Sequence, residues 1–398
     1  MQRNILIGAV VVVVLGLGVW AYFAFFTGGA TVITTPGASS LPVAEQTPTQ
    51  PSGATSAPSL SGGAPTAIVS PRLVKISAGP VALGEAVVTK AATASSSAET
   101  TVTYIERQSG NVFSYSTATK NITRISNKTV PGIQSASWLP NASTAFVRYL
   151  SGATFSTINT YALSASSTSG FFLPQNLAGI SVSSTGILTL SSGVNGSSAS
   201  VTHIDGTRAS EIFTTPLSAI HASFAGKNYL VFTKPSSDLA GDAFIVDTAG
   251  KFSRIAGPQN GLVALASPLG KWVLVSYTLG SAMQMQLVSI ATGASLQLPV
   301  ATIADKCVWA SDDSAIYCGV PISPPVNSSY PDDWYQGAVH FSDRIWKIDT
   351  AGRYAQLVLD FSKETSGVLD AEALAIDPFS TTLVFVNKND SSLWSYSF

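Results

Sequence analysis

One pattern recurs along this chain at a nearly constant spacing: an apolar position, a short turn of Pro, Ser, Asn, Asp or Gly, then a strand of alternating apolar residues. It reads W-L-P-N-A-S-T-A-F-V from Trp138, V-S-S-T-G-I-L-T-L from Val182 and F-A-G-K-N-Y-L-V-F from Phe224. Later copies are A-S-P-L-G-K-W-V-L-V from Ala266, W-A-S-D-D-S-A-I-Y-C from Trp309 and I-D-P-F-S-T-T-L-V-F from Ile376. Successive starts lie 44, 42, 42 and 43 residues apart, and the last interval, 67, is the same period plus an insertion. No segment from Arg72 onward holds a helical period over a dozen residues, so the reading is all-β. A period of about 40 to 45 residues is that of a four-stranded propeller blade.

Third and fourth strands follow most of these hairpins. The unit recurs almost verbatim as A-F-I-V-D-T-A-G-K-F-S-R-I-A from Ala243 and R-I-W-K-I-D-T-A-G-R-Y-A-Q-L-V from Arg344. Six copies are explicit. A seventh assembles from Glu85 to Thr89, Thr101 to Glu106, Asn111 to Ser116 and Ile122 to Ser126, while the final copy stops after three strands at Leu393 to Phe398. Arg72 to Ser77 resembles the fourth strands elsewhere and is expected to lie beside the last strand, closing a seven-bladed ring and removing an exposed edge.

The W-L-P-N run from Trp138 and the W-A-S-D-D run from Trp309, with partial matches at Ser267-Pro268-Leu269-Gly270 and Asp377-Pro378, resemble the TolB-type, WD-like propeller repeats of bacterial envelope proteins. That resemblance covers about 320 residues. It implies a fold and no particular activity, since propellers host many functions. From the sequence, no counterpart of the extra N-terminal domain of TolB is expected ahead of the repeats, where an anchor is read instead.

Ahead of the repeats, Ile5 to Phe26 is a run of 22 uncharged residues. As a helix it would span about 33 Å, enough to cross a bilayer. Its length favours an uncleaved anchor over a secretory signal, whose apolar core is shorter. Arg3 precedes it and no further Lys or Arg occurs until Arg72, so the positive-inside rule keeps the N-terminus cytoplasmic and places the rest outside the cell membrane, in the periplasm or at the cell surface. Thr27 to Ser70 then has Gly, Ala, Pro, Ser or Thr at 34 of 44 positions, the composition of a disordered tether. The expected organisation is a cytoplasmic tip (1–4), a transmembrane helix (5–26), a linker (27–71) and a propeller (72–398).

A net charge of −1 with 11% charged residues supplies no basic field for phosphate backbones, which argues against nucleic-acid binding. Two cysteines, Cys307 and Cys318, flank a turn at Asp312-Asp313. Reversal there sets them opposite one another, which in an oxidising compartment favours a cross-strand disulfide over two packed thiols. Two thiols without nearby His do not make a zinc site.

Catalytic constellations are scarce. The only histidines, His203, His221 and His340, form no metal-binding spacing, and neither a G-x-S-x-G elbow nor a P-loop occurs. No metal or other cofactor is expected. Propeller geometry places the start of each inner strand and the end of each second strand at one rim, so Glu85, Gln134, His221, Asp305 and Glu372 are predicted to ring the channel mouth. The insertion from Pro321 to Asp343 should overhang that face with Tyr330, Asp332, Asp333, Trp334, Tyr335 and His340. Its aromatic rings suit a ligand or partner contact, or equally a loop packed on itself. Trp138 and Trp309, at equivalent repeat positions, are expected to pack between blades. The functional expectation is a membrane-anchored, non-catalytic binding or scaffolding module of the cell envelope, with a protein or cell-wall polymer partner. The alternative is a hydrolase or lyase using Asp305, Glu372 or His221.

Overall fold

A computed structural model describes residues 72–93, 97–126, 130, 132–165, 169–351 and 354–398. The expected tip, spanning helix and linker lie outside these residues. Among the described residues no helix is long and apolar enough to cross a membrane.

The described residues form seven four-stranded antiparallel sheets. Six of them use consecutive strands, in the order inner, second, third, outer. Blade one runs from Ala86–Lys90 to Ile122–Arg124, blade two from Ile133–Trp138 to Gly170–Phe172, and blade three from Gly179–Val182 to Ser210–Thr215. Blade four runs from Ile220–Ala225 to Phe252–Asn260, blade five from Val263–Ala266 to Ser295–Gln297, and blade six from Cys307–Trp309 to Ala355–Asp360. Blade seven takes Ala371–Ile376, Thr382–Asn387 and Ser392–Ser397 from the end of the chain and Leu73–Lys75 from its start. Leu73 pairs with Tyr396 and Lys75 with Trp394, closing the ring as the repeat pattern predicts. Cys307 pairs with Cys318 in the blade-six hairpin and the two form a disulfide.

The core is a circle of inter-blade seams. Leu139, Phe146, Leu173, Leu177 and Ile187 fill the joint between blades two and three. Leu230, Leu262, Val275, Leu287, Ile303 and Trp309 belong to a larger cluster running from blade four to blade six. Alternation along each strand sends one face to each neighbouring seam, so both faces of a middle strand are buried. Thr382–Asn387 shows this, being buried at every position. Trp138 and Trp309 are buried and donate their indole N–H groups to backbone carbonyls of the preceding blade, at Gly84 and Leu265.

Turn carboxylates staple the rim where the inner strands end. Asp313 accepts from the hydroxyl of Ser267 at 2.7 Å and the amide of Leu269 at 3.0 Å, tying blade six to the blade-five turn. Asp377 accepts from the amides of Thr381 and Thr382, both at 2.6 Å, and from the hydroxyl of Thr89 in blade one. The opposite rim, with the second-to-third strand connections, carries the long insertion of blade six.

Candidate binding site at the channel mouth

The insertion leaves the second strand of blade six at Pro321 and rejoins the sheet at Asp343. Its anchor is a buried ionic cluster that the sequence pattern did not reveal. A 3-10 turn, Ala304–Lys306, precedes the inner strand of blade six and sends two neighbouring side chains to opposite fates. Lys306 is fully buried, and its ammonium pairs with Asp343 at 2.8 Å, pairs also with Asp370, and donates to the carbonyl of Ala371 at 2.9 Å. Asp370 accepts in addition from the Trp334 indole N–H and the Phe341 amide. Burial raises the Asp343 pKa to about 6, with Lys306 pulling it down and Asp370 pushing it up.

Trp334 and Phe341 stack with an interplanar angle of 9°, and the Lys306 ammonium lies 4.9 Å from the Trp334 centroid. Tyr330 is 2% exposed and donates its hydroxyl to the carbonyl of Pro325. Tyr330 and Trp334 are therefore buried in the insertion's own core, the self-packed alternative of the two that the sequence left open for these rings. Large planar rings serve hydrophobic burial as well as recognition, and here the insertion needed its own core. Gly261 permits the fit: at φ 64 it lies so close to the insertion that a Cβ would stand 2.7 Å from the carbonyl oxygen of Tyr330.

With its aromatic base sunk, the insertion projects the short helix Asp332–Tyr335 toward blade four. Asp332 accepts from both the amide and the hydroxyl of Ser237, at 2.7 and 2.6 Å, clamping the helix to the blade-four loop across the top of blade five. Asp333 is used internally, accepting from the amide of Ser329. Tyr335 donates its hydroxyl to Asp305 at 2.6 Å.

Between insertion and blade four lies a cavity of about 400 Å³ lined by His221, Phe232, Lys234, Pro235, Asp305, Asp332, Tyr335 and Gln336. The His221 ring stacks on Phe232, with centroids 5.0 Å apart and planes at 17°. Desolvation lowers the His221 pKa, opposed by the Asp305 charge and aided by Lys234. Asp305 opens to the cavity yet is ringed by protein, and that desolvation raises its pKa against the Tyr335 hydrogen bond and the nearby imidazole. Tyr335 is pushed well up, by burial first and then by the Asp305 charge.

Four of the predicted residues, His221, Asp305, Asp332 and Tyr335, thus share one cavity. The others do not join them. Gln134 is exposed and held by Arg107 at 2.7 Å, Glu372 pairs with Lys388 at 3.3 Å, and His340 is exposed away from the cavity. Glu85 is not on this rim. Gly84, at φ 97, sits where a Cβ would meet the Ala136 carbonyl oxygen at 1.9 Å, so the entering chain runs hard against the inner strand of blade two. The parallel bridge Leu83 to Ser135 carries Glu85 down to the level of Ser137, inside the channel.

Phe232, Lys234, Pro235 and Gln336 were not singled out from sequence. The signal for the first three was their position at the end of the second strand of blade four, on the rim already assigned to the insertion. Among the described residues no group of three or more His, Cys, Asp or Glu is placed to hold a metal ion.

No family model matches the chain, and no curated protein matches it. Solved structures do resemble it. An oligogalacturonate lyase in complex with manganese superposes with a TM-score of 0.52 at 8% identity, covering 80% of this chain and 98% of that one. The oligogalacturonate lyase of Vibrio parahaemolyticus gives 0.51 at 10% identity over 83% and 98%. Hydrazine synthase of Kuenenia stuttgartiensis gives 0.51 at 13% identity over 85% and 99%. At such identities the likeness is one of fold alone.

Proposed function

We propose that this chain is a membrane-anchored, extracytoplasmic binding module whose channel-mouth cavity takes a short polar segment of a cell-wall polymer. The observation that carries the reading is the composition of the 400 Å³ cavity: the His221–Phe232 stack and Tyr335 supply ring faces, while Asp305, Asp332, Gln336 and Lys234 supply hydrogen-bonding and charged groups. Apolar faces bordered by a few fixed polar groups are what a sugar ring, with its own apolar face and hydroxyl edge, requires of a site. The 22-residue apolar run and the Pro-, Ser- and Thr-rich segment after it supply anchor and reach, and the Cys307–Cys318 disulfide suits an oxidising compartment. The resemblance of the repeat motifs to TolB-type propeller repeats accords with an envelope setting.

Sedimentation of the full-length, detergent-solubilised chain with purified cell-wall polymer tests this. The expected result is retention that falls at least tenfold in Tyr335→Ala and Gln336→Ala. Equal retention of wild type and both variants would refute it.

A second reading is a lyase or hydrolase. It is favoured by the grouping of His221, Asp305 and Tyr335 at one cavity, where desolvation lowers the imidazole pKa and raises the carboxyl pKa, the kind of perturbation found at catalytic sites. The oligogalacturonate lyases among the structural neighbours make uronate polymers the first substrates to assay. Product release abolished by His221→Gln and Asp305→Asn would replace the non-catalytic reading.

A further inference from the structure

The opposite mouth of the channel holds a second cavity, of about 470 Å³, opening among the turns that follow the inner strands. Its wall is built from Val87, Trp138, Val308, Trp309, Leu374 and Ile376, with Pro140, Pro268 and Pro378 at the turns. Glu85 is the one charged residue lining it. Glu85 is 9% exposed as a residue, and both of its carboxyl oxygens are buried with no hydrogen-bond partner. Desolvation raises its pKa well above the usual carboxylate value, and the nearby charge of Glu372 adds to the rise. Glu372 is itself paired with Lys388, and none of the described ion pairs includes Glu85.

Native structures rarely bury both oxygens of a carboxyl without a donor, because the unpaired group loses its hydration with nothing in return. Here the wall below it is hydrocarbon and the cavity is open at its far end. Being level with Ser137, Glu85 stands two strand residues above the rim at Leu139, about 7 Å at the strand rise. An ammonium or guanidinium on an unbranched aliphatic stem matches that depth, placing its head on the carboxylate and its methylenes along the apolar wall. The nearby tryptophans favour a cation further. A metal ion fits less well, since a hard cation wants several oxygens and the lining offers one carboxylate.

We infer that this lower cavity is a socket for an alkylammonium or alkylguanidinium group, such as a lysine or arginine side chain inserted from a partner protein, with Glu85 as its counter-ion. Calorimetric titration of the full-length chain with acetyl-lysine-methylamide and its uncharged analogue acetyl-norleucine-methylamide tests it. The lysine probe is expected to bind at least tenfold more tightly, and Glu85→Gln should erase that preference with the unfolding temperature unchanged or raised. Val87→Phe, which fills the socket and leaves the carboxyl in place, should abolish binding of both probes. A third titration with n-butylammonium separates the sources: weaker binding than the lysine probe assigns the socket to a protein side chain, and equal binding to a free amine. Equal affinity for lysine and norleucine probes, or a preference that survives in Glu85→Gln, would overturn the inference.

Discussion

Two seams of the same wheel are built by different means. Between blades two and three, Leu139, Phe146, Leu173, Leu177 and Ile187 interdigitate, and Arg148 adds a guanidinium bond to the Leu177 carbonyl. Where blade six meets blade seven, Lys306 is buried with Asp343 and Asp370 in addition to the apolar contacts. Apolar packing is non-directional, so it joins blades without specifying what overhangs them. A buried ammonium with fixed partners is directional. It sets where Trp334 and Phe341 lie, and so where Tyr335 meets Asp305. The ionic seam is thus the one that builds the candidate site.

That contrast can be broken most forcefully at Lys306. Lys306→Met leaves two buried carboxyls without their cation and should lower unfolding stability by about 3 to 5 kcal/mol in urea titration. It should also expose Pro321 to Asp343 to proteolysis. Adding Asp343→Asn and Asp370→Asn should recover much of the loss, because it removes the uncompensated groups. A cost below about 1 kcal/mol for Lys306→Met alone would show that the cluster does not hold the insertion.

The apolar seam answers differently. Leu177→Ala should cost about 3 kcal/mol through lost burial and the cavity left behind. Its insertion should be cleaved no faster than in wild type, and increased cleavage would remove the distinction between the two joints.

Acidity sharpens the contrast further. The folded-state pKa of Asp343, about 6, lies above the usual 3.8. The folded chain therefore binds this proton more readily than the unfolded chain does. The resulting stability is whole below about pH 4 and is lost as pH rises through 6. Asp305 and Glu372, also raised mainly by desolvation, act in the same direction. Denaturant midpoints measured from pH 4 to 7 should fall with rising pH in wild type and fall less steeply in Asp343→Asn. An unchanged slope in that variant would place the titrating group elsewhere. The smallest effect is expected for Tyr335→Phe, which removes one hydrogen bond to a charged acceptor and should cost about 1 to 2 kcal/mol by thermal unfolding.

Strand order, ring closure and the Cys307–Cys318 pairing were legible in the sequence, because side-chain alternation and turn residues are local signals. Arg72 to Ser77 could be matched to the last blade by its likeness to other outer strands. The site was legible only in part. His221 and Asp305 were found from their places ahead of inner strands, but that rule assumes each strand begins at the same height. Gly84 breaks the assumption for Glu85 by letting the chain press against blade two. Lys306 escaped notice for another reason: lysine reads as surface unless its counter-ions are known, and Asp343 and Asp370 are distant in sequence. For Trp334 and Tyr330 the sequence left two readings open, because an aromatic ring in a loop carries the same composition whether it binds a ligand or fills a core.

The pairing of Leu73–Lys75 with the final strand brings the Arg72 carbonyl within 3.0 Å of the Ser397 amide. In topological terms the wheel has no obligatory starting point. A gene opened at the Gly193–Gly196 hairpin of blade three, with Phe398 spliced to Arg72 through a short turn, would encode the same circle with its clasp moved to a different spoke.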